Sequence, residues 1–145
     1  MTGDPYNLDR YIEAQRGLFE QACSELRRGR KVGHWMWFVF PQIAGLGASA
    51  MSQRYAIQSL DEARAYLAHP VLGPRLREIC GIVLGVQDRG VEEIFGYPDD
   101  MKFRSSMTLF ARAAADDGMF VEVLRKYFGG MEDDTTLRIL GLGKT

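Results

Sequence analysis

The longest apolar run of the chain, Trp35 to Phe40, has no obvious strand partner. Nearly every residue in it is apolar, so periodicity cannot separate strand from helix, and β-propensity favours strand. No second segment reads as a long alternating strand, however, and one strand cannot make a sheet. The run is therefore weighed towards helix. The chain is expected to be all-α, a single compact domain of six to eight helices spanning residues 1–145.

Helical signals are plain elsewhere. Asn7 can cap a helix to about Arg28, whose apolar face carries Leu8, Tyr11, Ile12, Phe19, Ala22 and Leu26. Ser59-Leu-Asp-Glu62 has the form of a capping box, opening a helix that stops at Pro70. Leu72 to Leu84 and Val91 to Phe95 give two more. Asp99 or Asp100 can cap a helix to about Ala115, Asp117 one from Met119 to Phe128, and Asp133 or Asp134 a last short one.

Charge excludes some partners. Eighteen basic and nineteen acidic residues leave a net charge of -1 with no basic patch, so nucleic acid is not an expected partner. The small cluster Arg27, Arg28, Arg30 and Lys31 reads as the charged end of a helix. No stretch reaches the ~18 apolar residues that a membrane span requires, and the polar, acidic start is not that of a signal peptide. Cys23 and Cys80 fall on apolar helix faces and read as reduced core thiols. That pattern fits the cytoplasm, although a disulfide between them stays open.

Several motifs tempt and fail. Gly45-Leu-Gly47-Ala-Ser-Ala50 matches a dinucleotide fingerprint, but it lacks the delivering and returning strands that the mechanism needs. Gly143-Lys144-Thr145 resembles the end of a P-loop, but the first glycine would fall at Arg138. His34 and His69 are isolated, without zinc-site spacing, so no metal and no cofactor is implied.

Two segments concentrate side chains with chemical potential. In the first, 34–42, His34, Trp35, Trp37 and Gln42 could form an aromatic wall with polar ends, on which a base or sugar stacks; they could equally be core. In the second, 99–108, Lys102, Arg104, Ser105 and Ser106 lie near a predicted helix start. A phosphate or carboxylate could bind there, or the segment is a capped surface helix. Between them, Ser49, Ser52 and Tyr55 could overhang a pocket from the glycine loop, or a serine could simply cap a helix.

HWMWFVFPQ at 34–42, GLGASAMSQRYAI at 45–57, EARAYLAHPVLGPRL at 62–76 and IFGYPDDMKFRSSMTLF at 94–110 together resemble a family of small bacterial proteins catalogued as a domain of unknown function. Some of its members carry the label calpastatin. Inhibitors of that type are disordered, whereas this composition is that of a folded chain. The resemblance implies a mainly helical domain with no established activity. It places the family's polar motif positions on His34, Gln42, Ser49, Ser52, Tyr55, Lys102, Arg104, Ser105 and Ser106. A looser similarity, in style rather than motif, is to the NADAR superfamily of helical proteins acting on ADP-ribose or ribosyl-pyrimidine N-glycosidic bonds.

Two functions follow as expectations. One is a site for a phosphate-bearing small molecule of nucleotide or ADP-ribose type, with N-glycosidic hydrolysis as its reaction. Trp35 or Trp37 would stack the ring, Arg104, Ser105 and Ser106 would hold phosphate, and His34 would act as acid or donor. Asp99, Asp100 and Glu62 are candidate carboxylates for that chemistry. The other is a non-catalytic interaction or adaptor domain in which the same residues serve as core and caps.

Overall fold

The computed structural model describes residues 3–114 and 118–142. Among these the protein is all-α, with ten helices: α1 (Asp9–Gln15), α2 (Phe19–Arg27), α3 (Met36–Val39), α4 (Ala50–Arg54), α5 (Leu60–Ala68), α6 (Leu72–Gly85), α7 (Val91–Phe95), α8 (Asp99–Ala113), α9 (Met119–Phe128) and α10 (Asp134–Ile139). The count exceeds the expected six to eight. The first long helix is broken at Gly17, whose φ of +74° turns the chain, and the glycine loop leads into the short α4.

The ambiguous run forms one helical turn, α3, within a largely buried segment. The caps divide. Ser59 Oγ accepts from the Glu62 amide, Ser49 Oγ from the Ser52 amide and Asp133 Oδ2 from the Thr136 amide. Asn7 is not the cap of α1. The N-cap position is Leu8, and it is Asp4 upstream whose two carboxylate oxygens accept from the amides of Leu8 and Asp9. Neither Asp99 nor Asp100 caps α8, which starts behind Pro98. The expected cap Asp117, the helix end at Ala115 and Gly143-Lys144-Thr145 lie outside the described residues.

Helix α8 is the axle of the fold. It packs against α5, α7, α9 and α10, and every residue from Ser105 to Phe110 is buried. Helix α6 completes the core against α2, α5 and α9, while α3 packs on α1. Aromatic rings link the layers: Phe103 of α8 lies 4.4 Å from Phe95 and 4.9 Å from Phe40, centroid to centroid. Both cysteines are buried, and among the described residues neither forms a disulfide. Burial raises the Cys23 pKa to about 11, so at neutral pH it is a thiol and a poor nucleophile. No described helix is long and apolar enough to cross a membrane.

Candidate functional site

An isolated parallel bridge joins Ile43 to Ile57. The Ile57 amide donates to Gln42 O and the Ala44 amide to Ile57 O, both at 2.8 Å. This clamp holds the chain leaving α3 beside the chain leaving α4. Between them is a cavity of about 110 Å³ lined by Trp37, Gln42, Gly45–Gly47, Ser52, Tyr55 and Gln58, among others. The glycine turn is shaped by close approach: a Cβ on Gly47 would come within 2.6 Å of Ser52 Oγ. Thus Gly45 and Gly47, rejected as a dinucleotide fingerprint, form one wall.

The cavity gathers four residues singled out from the sequence: Trp37, Gln42, Ser52 and Tyr55. Trp37 is half-buried and Tyr55 is 6% exposed. Among the described residues, no partner accepts from the Trp37 indole N–H or engages the Tyr55 hydroxyl or the side-chain amides of Gln42 and Gln58. Ser52 Oγ accepts the hydroxyl proton of Ser49, which leaves its own proton free to donate.

Trp35 has a different fate. It is wholly buried, and its Nε1 donates to Glu25 Oε1 at 2.9 Å. Burial opposes ionisation of Glu25, but hydrogen bonds from Gly33, Val32, Gln21 and Trp35 outweigh it and bring the carboxyl pKa to about 2. Glu25 therefore anchors the segment carrying the aromatic motif. No sequence signal marked it, because three of its four partners lie seven to ten residues away across a loop. His34 is exposed and does not line the cavity.

The second segment meets the first at two points. Phe103 packs on Phe40, and the Lys102 ammonium sits 5.7 Å from the Trp37 ring centre. Lys102 also pairs with Asp99 at 3.5 Å, and Asp99 in turn holds Lys31 at 2.8 Å. Arg104 points elsewhere: Nε donates to Met131 O and one terminal nitrogen to Glu132 O, bracing the approach to α10. Ser105 donates back to Met101 O within α8. The Ser106 hydroxyl is buried with no partner among the described residues. The candidate carboxylates are likewise engaged: Glu62 pairs with Arg10 at 3.0 Å, and Asp100 Oδ1 accepts from the Met101 amide. No group of three His, Cys, Asp or Glu among the described residues could hold a metal ion.

Comparison with known proteins agrees with this helical fold. The conserved hypothetical protein Rv1873 from Mycobacterium tuberculosis has a crystal structure that superposes with a TM-score of 0.94 at 56% identity, over 95% of this chain and 99% of that one. No curated protein matches the chain. The family described as "Protein of unknown function (DUF1810)" matches residues 5–140, and the chain belongs to that family.

Proposed function

We propose that the protein binds a small nucleotide-like or ADP-ribose-like molecule whose ring enters the cavity lined by Trp37 and Tyr55. The observation that carries this reading is convergence: an aromatic face and several polar groups without partners among the described residues line one concave site. Its size refines the ligand. At about 110 Å³ it is smaller than the ~300–1,000 Å³ of pockets that enclose whole drug-sized molecules, so it accepts one ring system and leaves the rest of the ligand outside. Indole, phenol and amide side chains suit a neutral ring with donors and acceptors on its edge.

Binding is better supported than hydrolysis. The described lining offers amides, hydroxyls and aromatic faces, but no carboxylate or imidazole to stabilise an oxocarbenium-like centre or to activate water. Thermal unfolding of wild type and Trp37→Ala with AMP, ADP and ADP-ribose tests the proposal. A bound ligand at a hundred times its dissociation constant adds ~2.7 kcal/mol to wild-type stability. The variant should show no such gain. Failure of all three to shift the wild type, or equal shifts in both proteins, would overturn the reading.

A further inference from the structure

We infer that Arg54 takes the phosphate of this ligand, in a second, open depression that adjoins the ring cavity at Gln58. The inference rests on the cavity reading above. Gln58 lines both hollows, and the outer one is also lined by Asn7, Arg10, Arg54 and Glu62. Arg54 and Tyr55, adjacent in sequence, face one hollow each.

The charges in the outer depression are not equivalent. Arg10 is spent on structure: its guanidinium donates to the carbonyls of Tyr6, Asn7, Arg54 and Ala56, to the Tyr11 hydroxyl and to Glu62. Glu62 is neutralised in turn, one oxygen taking Arg10 and the other the Gln58 backbone N–H. That leaves Arg54. It is exposed, its side chain donates to no described residue, and its guanidinium carbon lies 5.4 Å from the centre of the Tyr55 ring. The aromatic face orients the planar fork without using its N–H groups, which remain available for bidentate contact with phosphate oxygens. The other cations on these motifs are less free, since Lys102 pairs with Asp99 and Arg104 holds two carbonyls.

Calorimetric titration with adenosine and AMP tests this assignment, using wild type, Arg54→Ala, Arg54→Lys, Lys102→Ala and Trp37→Ala. A charge-assisted contact should make wild type bind AMP about tenfold or more tighter than adenosine. Arg54→Ala should remove that preference and leave adenosine affinity unchanged. Arg54→Lys, which keeps the charge but loses the fork, should fall between. The Arg54 side chain makes no described hydrogen bond and only an exposed contact with the Tyr55 ring, so its removal should leave the circular dichroism spectrum unchanged and lower the melting temperature only slightly. If Arg54→Ala retains the preference, or Lys102→Ala abolishes it, the assignment is wrong and the cavity reading stands, provided that Trp37→Ala weakens both compounds. If wild type binds neither compound, the cavity reading falls and this assignment with it.

Discussion

The Trp35 indole N–H and the Val32 and Gly33 amides all donate to one oxygen, Glu25 Oε1, at 2.8 to 2.9 Å. The other oxygen takes Gln21 Nε2 at 2.9 Å. A carboxylate on α2 thus fixes the entry to α3 and, through it, the position of Trp37. Glu25→Ala should cost about 3 kcal/mol, because it strands a fully buried indole N–H and two backbone amides. Glu25→Gln should cost roughly half as much, since its carbonyl can keep the three bonds but its amide meets the Gln21 donor. Urea midpoints at constant m-value measure both.

The same carboxylate sets an acid limb of stability. Its pKa is about 2 in the folded protein against an ordinary value of 4.5. A folded pKa below the unfolded one means that the unfolded state binds the proton more tightly. The contribution is therefore complete above pH 4.5 and is lost as pH falls from there towards 2. A shift of this size corresponds to about 3 kcal/mol. The stability of wild type relative to Glu25→Gln should therefore fall steadily over that interval and reverse sign near its lower end. A difference that stayed constant from pH 6 to pH 2.5 would contradict the linkage.

Arg104→Ala should loosen the C-terminal turn rather than the ring cavity. Two charge-assisted bonds to Met131 O and Glu132 O would be lost, at about 1–3 kcal/mol in total. The Thr108 hydroxyl, which accepts from the Asp133 amide, would remain as a weaker tie. Hydrogen exchange should speed up in α10 while adenosine affinity is unchanged. Loss of affinity with α10 protection intact would instead make Arg104 a ligand contact.

Two glycines of α6 should respond with opposite sign. A Cβ on Gly73 would run into the backbone carbonyl of Leu67, so Gly73→Ala must push α5 and α6 apart at a cost of about 1–3 kcal/mol. Gly81 is exposed in mid-helix with open space at its Cβ position. Gly81→Ala should therefore stabilise the protein by about 0.5–1 kcal/mol, through the lower entropy of the unfolded chain. Thermal melts of the pair provide the check.

Local features read well from the residues alone. Ser59 and Asp133 do cap helices, and the Leu72 to Leu84 periodicity does form a long helix, because capping and amphipathicity act within a few residues. Where a remote contact competes, the local expectation yields. Asp4 displaces Asn7 at the start of α1, and Asp99 turns to Lys31 rather than capping α8.

The candidate site divides the same way. The all-α class and the residue types of the two motifs were determined by the sequence, through helical spacing and the absence of a second strand. Only the tertiary structure decided that Trp35 is held in the core while Trp37, two residues on, lines a cavity. It also decided that Arg104 braces a turn while the Arg54 side chain donates to no described residue. Those outcomes depend on Glu25, Met131 and Glu132, which approach only when separate helices pack. The reason is physical: a polar side chain becomes a brace or an available donor according to which acceptors the fold brings within about 3 Å of it.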